Sequence, residues 1–329
     1  MNRIGRIFAN VYEAGEAVGV DVSRFNHEKT RADIAGDPHG KRDASILVYE
    51  DGRSGTVCNF KTDEYAYWTE DYSESWSYEE KQKRLKEIEL KKVERDRKAS
   101  IELREGMFTA SAILRACKPV TSHPYLTKKR IKPTRTMFEI DARVLDSFFE
   151  ERGIRNGSGR FFRTGFRGRV LVTPMYKGSE LRTLQFIDAN GNKQYMKGGK
   201  HSSACWLSRP IEDYQNSDVI GIAEGVATAR SVEMVEGFPC VAVTTCHNFV
   251  AVARYLHGLF RHKRIVILSD VGDGEKQAQE AKDAVGAELY KPPFNDELIS
   301  RFKAICGTDK NPSDWNDFYI AVGSLNNDE

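Results

Sequence analysis

The chain of 329 residues is predicted to be an α/β protein with a parallel sheet in its C-terminal part. Two short runs of mainly β-branched residues, 219–223 and 265–268, are each followed by a pattern typical of a helix, as expected of buried parallel strands. Acidic residues follow both runs, with Glu224 after the first and Asp270 and Asp273 after the second. Because the carboxyl ends of parallel strands lie at one edge of a sheet, these three carboxylates are expected to lie close together.

Carboxylates that converge in this way repel one another unless a cation neutralises them. Sites made only of oxygen ligands suit Mg²⁺ or Mn²⁺. The sequence therefore predicts a divalent-cation site at this edge of the sheet.

The composition is typical of a globular protein, with 40% hydrophobic and 30% charged residues. The net charge is only +2, but residues 118–209 contain 19 Lys or Arg against 7 Asp or Glu. This asymmetry predicts a segment that binds a polyanion next to an acidic segment. The six cysteines are scattered and are expected to be reduced thiols of a cytoplasmic protein. Since no apolar run approaches the roughly 18 residues that cross a bilayer, no membrane partner is expected.

Four segments are predicted along the chain. Residues 1–70 form a small β module with a hairpin of strands at 44–50 and 56–60. Residues 71–117 are a charged helical connector with a separate second helix at about 108–116, ending before Pro119. The remaining two segments are a basic β-rich subdomain at 118–210 and the α/β domain at 211–329.

The basic subdomain is predicted to contain a meander of strands at 170–176, 181–187 and 193–196. Its cations alternate with aromatic residues, a pairing that suits single-stranded nucleic acid because charges follow the backbone while bases stack on rings. Ordinary solvated loops are the alternative for these cations. The candidates for nucleic-acid binding are Lys128, Lys129, Arg130, Arg163, Arg167, Arg169, Lys197 and Lys200.

The α/β domain alternates strands and helices. Further strands are predicted at 239–243 and 288–290, and helices at 226–236, 249–260 and 275–285. This alternation predicts a roughly four-stranded parallel sheet with right-handed connections.

These residues resemble the Toprim domain of primases, topoisomerases and some nucleases, in which Glu follows the first strand and an Asp-x-Asp cluster follows the third. Glu224 and Asp270 match the two motifs, and the segment from Asp314 to Asp317 is similar to the Asp-aromatic-Asn-Asp segment that ends this domain in phage and plasmid primases. The runs 123–126, 172–176 and 184–193 are similar to the N-terminal half of a DnaG-like primase core. Position 272 is glycine, so the second acid is Asp273, at Asp-x-x-Asp spacing.

The resemblance implies Mg²⁺-dependent (or Mn²⁺-dependent), template-directed synthesis of RNA primers in phage or plasmid replication. Glu224, Asp270 and Asp273 would be catalytic, and Asp314 and Asp317 would join them as metal ligands. The implied partners are a single-stranded DNA template, ribonucleoside triphosphates and, since the sequence has no phosphate-loop motif, a separate replicative helicase.

Small β modules that precede a primase core often carry a zinc ribbon, and residues 1–70 resemble such a module without its ligands. Only His39 and Cys58 could ligate, whereas a structural zinc site takes four ligands, so no zinc is expected.

Two alternatives remain open at this stage. A Toprim nuclease would use the same metal site to cut phosphodiesters. An inactive single-strand-binding or anti-defence accessory protein would bind DNA without chemistry, because the displaced second acid could have abolished the metal site.

Overall fold

The computed structural model describes residues 3–26, 30–36, 43–49, 51–62, 64–71, 77–154, 163–272 and 274–325. They form three sheets with helices, which confirms the α/β class. The chain divides into two compact units, 1–95 and 96–329. This division is coarser than the four predicted segments, whose boundaries stay a prediction. None of the helices in the described ranges combines the length and the apolar character that a transmembrane span requires.

The first unit contains a six-stranded sheet with one short helix, α1 (Val11–Ala17), and the strand order is β1-β6-β5-β4-β3-β2. The strands are β1 (Arg3–Phe8), β2 (Val20–Asp21), β3 (Thr30–Ile34), β4 (Ala44–Val48), β5 (Ser54–Asn59) and β6 (Glu64–Thr69). β4 and β5 pair antiparallel, which confirms the predicted hairpin, whereas β1 pairs parallel with β6. Of the two residues considered as zinc ligands, Cys58 lies on β5 and His39 lies outside the described residues.

Helix α2 runs without interruption from Tyr78 to Ala116, over 39 residues. The prediction of a separate helix at 108–116 is therefore wrong. Gly106 does not end the helix but allows a close approach, because a Cβ atom at this position would lie 2.2 Å from the carbonyl oxygen of Gly198. The last turns of α2 are anchored by Ala110 and Ile113, both fully buried.

The second unit begins with a five-stranded antiparallel sheet in the order β11-β10-β9-β8-β7. Its strands and helices are β7 (Lys118–Pro119), α3 (Pro124–Lys128), β8 (Phe138–Asp141), α4 (Ala142–Glu151), β9 (Arg169–Lys177), β10 (Glu180–Ile187) and β11 (Lys193–Tyr195). The meander of β9, β10 and β11 confirms the prediction, while β7, β8 and α4 were not predicted.

The third sheet has the order β12-β14-β13-β15-β16. Its strands are β12 (Trp206–Leu207), β13 (Val219–Ala223), β14 (Cys240–Ala242), β15 (Arg264–Leu268) and β16 (Glu288–Tyr290). The last four are parallel, as predicted, and β12 adds an antiparallel edge strand beside β14.

Helices cover both faces of this sheet. The helices are α5 (Ile211–Gln215), α6 (Val226–Glu236), α7 (Phe249–Leu259), α8 (Glu275–Val285), α9 (Asp296–Cys306) and α10 (Trp315–Val322). The α6, α7 and α8 helices confirm the predicted alternation.

One apolar layer belongs to both sheets of the second unit. Met137 and Ile187 of the antiparallel part lie in the same buried cluster as Val226 and Ala223 of the parallel part. Polar contacts fix the same junction, since the fully buried Asn316 donates from Nδ2 to the carbonyl oxygen of Lys129 at 2.7 Å and to Oγ of Ser231 at 2.8 Å.

Candidate functional site

Glu224 and Asp270 follow neighbouring strands at the same edge of the parallel sheet. β13 and β15 pair with Ala223 opposite Leu268, so Glu224 lies one residue and Asp270 two residues beyond the last pair. Both residues line one pocket of about 130 Å³, which Asp314 also lines from the residue that precedes α10. Lys129 and Lys193 line it from the antiparallel part of the unit. The structure thus brings three carboxylates and two lysines together.

Asp270 has a raised pKa in this pocket. Burial, followed by the charges of Asp314, Glu224 and Asp317, raises the pKa of Asp270 from 3.8 to about 7, and Lys193 opposes the shift. Oδ1 of Asp270 is buried and has no hydrogen-bond partner. Removing a charged oxygen from water without a compensating partner is unfavourable, which explains why the neutral form is favoured here.

Asp314 and Asp317 are held in place by the start of α10 and by Lys129. Oδ1 of Asp314 accepts from the amide of Asp317 at 2.8 Å, and Oδ2 of Asp317 accepts from the amide of Ser313 at 3.2 Å. Nζ of Lys129 lies 3.3 Å from Oδ1 of Asp317 and 3.9 Å from Oδ2 of Asp314. Burial and the charge of Asp314 raise the pKa of Asp317, and Lys129 opposes this shift.

Lys129 was predicted to contact nucleic acid, and the structure instead directs it to these two carboxylates. Its burial alone would lower its pKa, but Asp314 and Asp317 outweigh burial and raise the pKa of Lys129 above its usual value. Lys129 therefore stays charged and compensates the α10 carboxylates.

The pocket fits a divalent cation through its oxygen atoms. The unpartnered Oδ1 of Asp270 is the free ligand atom, and Glu224 and Asp314 add negative charge beside it. Mg²⁺ is commonly bound by one or two carboxylates together with water and substrate phosphates. Within the described residues, no three His, Cys, Asp or Glu side chains are grouped closely enough to hold a metal by themselves. Asp273, predicted as a ligand, lies outside the described residues.

Close packing of two loops positions Glu224. Gly274, with φ of 92°, precedes α8, and a Cβ atom there would lie 3.2 Å from Oε2 of Glu224. The amide of Thr244 donates to the carbonyl oxygen of Glu224 at 2.8 Å, and Thr244 itself has a φ of 63°. A positive φ is unfavourable for a β-branched residue such as threonine, so the surrounding structure must maintain this conformation.

Sequence reasoning gave no role to four residues that line the pocket, namely Tyr125, Gln185, Lys193 and Thr244. Three of them lie in or next to the runs that resemble a primase core, so that resemblance was the available signal. Gln185 and Tyr125 are almost completely buried, and Oε1 of Gln185 and Oη of Tyr125 have no hydrogen-bond partner. Leaving a buried polar group unsatisfied costs about 1–3 kcal/mol, so both atoms are candidates to bind a polar ligand.

The other predicted nucleic-acid ligands fall into two groups. The first group consists of three arginines that contact other groups of the chain. Arg163 pairs with Glu150 at 3.2 Å, Arg169 pairs with Glu139, and Arg130 donates to the carbonyl oxygen of Leu325 at 3.3 Å. The side chains in the second group are exposed, and these are Lys128, Arg167, Lys197 and Lys200. Their role as nucleic-acid ligands stays a prediction.

No protein-family model matches the chain. Two curated proteins from Escherichia coli, both named DNA primase TraC, are similar to it. The first is 28% identical over 158 residues, which cover 45% of this chain and 15% of that protein. The second is 26% identical over 158 residues, which cover 45% of this chain and 11% of that protein. The chain therefore spans only a small part of the length of these relatives.

Solved primase structures are also similar, at low scores. The RNA polymerase domain of Mycobacterium tuberculosis primase DnaG has a TM-score of 0.43 and 12% identity, with 68% of this chain and 81% of that chain covered. The zinc-binding and RNA polymerase domains of Aquifex aeolicus primase have a TM-score of 0.42 and 12% identity, with 96% and 80% covered. Scores of this size do not establish a common fold.

The relatives confirm the resemblance to primases, whereas the Toprim and zinc-ribbon assignments stay expectations. Over somewhat less than half of its length, this chain is similar in sequence to DNA primases.

Proposed function

We propose that the chain synthesises RNA primers on single-stranded DNA, with a divalent cation bound in the pocket of Glu224, Asp270 and Asp314. The observation that carries the proposal is this grouping of carboxylates with Lys129 and Lys193 at the carboxyl edge of a parallel sheet. A carboxylate with one buried, unpartnered oxygen beside further acids suits a reaction in which phosphate groups and cations enter together.

The carboxylates have distinct tasks in this proposal. Asp270 would hold Mg²⁺ or Mn²⁺ through Oδ1, and Glu224 would accept the proton of the attacking 3′-hydroxyl through its carboxylate. The cation, when bound, would neutralise charge on the triphosphate and on the departing pyrophosphate. Lys129 compensates the negative charge of the α10 carboxylates beside the reacting groups.

The template would be bound by the exposed cations Lys128, Arg167, Lys197 and Lys200. Binding through phosphate contacts weakens steeply with salt, so the affinity for single-stranded DNA is expected to fall linearly with salt on logarithmic axes. A separate replicative helicase and a role in phage or plasmid replication belong to the same proposal.

A priming assay tests it. Wild type, Glu224→Gln and Asp270→Ala are incubated with a single-stranded template, labelled ribonucleotides and Mg²⁺ or Mn²⁺. Wild type is expected to yield short RNA, and both variants are expected to yield none. Glu288→Gln is the matched control, because it changes a surface carboxylate on β16 of the same sheet, paired with Arg264 at 2.9 Å.

Other results identify the alternatives. Cleaved DNA in place of RNA would indicate a nuclease. Salt-dependent DNA binding without any metal-dependent chemistry, and with Glu224→Gln indistinguishable from wild type, would indicate an inactive binding protein.

A further inference from the structure

A second function of the pocket is suggested by a neutral side chain rather than by its acids. Gln185 lies on β10, is 2% exposed, and lines the same pocket as Asp270 and Glu224. Its Oε1 atom is buried without a hydrogen-bond partner. An amide held this deeply normally has both of its polar atoms satisfied.

The orientation of this amide is fixed by two further groups. Oη of Tyr195 donates its single proton to the carbonyl oxygen of Thr244. Tyr195 must therefore accept from Gln185, so the atom that lies 3.2 Å from Oη is Nε2 and not Oε1. Thr244 is in turn bonded to the backbone of Glu224 at 2.8 Å. A chain of hydrogen bonds thus links Glu224, Thr244, Tyr195 and Nε2 of Gln185. It leaves Oε1 of Gln185 as the free acceptor.

The chemistry of a free neutral acceptor restricts its ligand. Phosphate oxygens carry no proton at neutral pH, so the triphosphate of a nucleotide cannot satisfy Oε1. A hydroxyl or an amine can. In a nucleoside triphosphate, the sugar is bonded directly to the α-phosphate that reacts beside Asp270, whereas the base is farther away. A sugar hydroxyl is therefore the donor of the nucleotide that lies nearest to the reacting phosphate.

We propose that Oε1 of Gln185 accepts a hydrogen bond from a ribose hydroxyl of the nucleotide bound at Asp270 and thereby selects the sugar. This inference rests on the proposed function and extends it to the residue that determines substrate specificity. A site built to bond a substrate hydroxyl discriminates against the analogue that lacks it, because its own polar atom is then left unpaired.

The test compares three nucleotides with wild type and Gln185→Leu. On a template that directs one addition, kcat/KM is measured for ATP, 2′-deoxy-ATP and 3′-deoxy-ATP. Wild type is expected to prefer ATP over the analogue that lacks the bonded hydroxyl. Gln185→Leu is expected to reduce that preference about tenfold, equivalent to about 1.4 kcal/mol, by lowering the rate with ATP. The analogue whose discrimination is lost identifies the hydroxyl.

Gln194→Leu is the matched control. Gln194 lies on the adjacent strand β11, donates from Nε2 to the carbonyl oxygen of Thr164 at 2.7 Å, and also has a buried, unpartnered Oε1. Because it does not line the pocket, its substitution is expected to leave the preference for ATP unchanged. Tyr195→Phe, which frees the amide to rotate, is expected to lose part of the preference. Thermal unfolding of all variants verifies folding.

An unchanged preference against both analogues in Gln185→Leu overturns the inference. If Gln185→Leu is inactive with every nucleotide, the preference of Tyr195→Phe for ATP over the two analogues is used instead. A preference equal to that of wild type then overturns the inference. Equilibrium binding of ATP and its two analogues, measured in parallel, separates this inference from the proposed function. A wild type that incorporates nothing removes the proposed function, while the ratio of its binding constants still reports the contact with Gln185.

Discussion

Asp270→Asn is expected to stabilise the folded chain when divalent cations are absent. The wild-type carboxyl is partly buried beside other acids, and its pKa rises from 3.8 to about 7 in the folded state. The folded carboxyl therefore binds its proton more tightly than the unfolded one. It follows that stability is highest below the unfolded pKa and is lost as the pH rises from about 4 to about 7. Asparagine carries no charge, so it avoids this loss.

The magnitude follows from the same shift. At about 1.4 kcal/mol for each pKa unit, the ionised carboxylate lowers the free energy of unfolding by up to about 4 kcal/mol at pH 8 and by about 2 kcal/mol at pH 5. Relaxation around the partly exposed side chain reduces these values, so a gain of about 2–4 kcal/mol is expected at pH 8. For a domain of this size, each kcal/mol raises Tm by about 2–4 °C.

Thermal and urea unfolding in EDTA at pH 5 and pH 8 measure the effect. Asp188→Asn is the control of opposite sign. Burial would raise the pKa of Asp188, but hydrogen bonds from Asn192 and nearby backbone amides outweigh it and lower that pKa. Its substitution is therefore expected to destabilise the chain at pH 8. The stability that Asp188 contributes is lost only as the pH falls through its lowered pKa.

Addition of Mg²⁺ is expected to stabilise the wild type and to leave Asp270→Asn almost unchanged. The reasoning is refuted if Asp270→Asn is less stable than wild type at pH 8 in EDTA. It is also refuted if the difference in stability is the same at pH 5 and pH 8.

Three further predictions concern other positions of the second unit. Lys129→Met is expected to destabilise the chain by about 3 kcal/mol in urea at pH 7, because it leaves the α10 carboxylates uncompensated, and the loss should shrink at lower pH as Asp317, whose pKa is raised, takes up a proton. Gly274→Ala and Gly272→Ala both strain backbone of positive φ, by about 1–2 kcal/mol. Only the first places a Cβ atom 3.2 Å from Oε2 of Glu224, so only the first should reduce priming beyond its effect on stability, and equal reductions would contradict this. Tyr214→Phe removes a buried hydroxyl bonded to the carbonyl oxygen of Cys240 at 2.5 Å and should cost about 1–3 kcal/mol in urea, whereas a change below about 0.5 kcal/mol would contradict it.

The parallel sheet could be predicted because each of its strands is a short apolar run followed by a helical pattern. The same regularity placed Glu224 and Asp270 at one edge, since the ends of parallel strands coincide. The two-residue strand β12 gave no periodic signal, and its pairing with β14 depends on tertiary contacts. The continuity of α2 was not predicted, and Gly106 within it allows the close approach of the backbone of Gly198.

The neutral part of the site could not be predicted. Gln185 and Tyr195 lie opposite each other on the paired strands β10 and β11, but they meet Thr244 only because the two sheets pack together. Lys129 belongs to a cationic run that reads locally as a solvent-facing stretch. Its inward direction depends on the carboxylates of α10, which lie almost two hundred positions later.

The apolar layer shared by the two sheets of the second unit has a consequence for dissecting the chain. Met137 and Ile187 cover one side of this layer, and Val226 and Ala223 cover the other. A cut at residue 210 would leave each fragment with a wide water-exposed hydrophobic face and would also break the amide link of Asn316 to Lys129. The acidic half would then aggregate when expressed alone. The smallest piece that folds cooperatively is thus expected to retain both sheets.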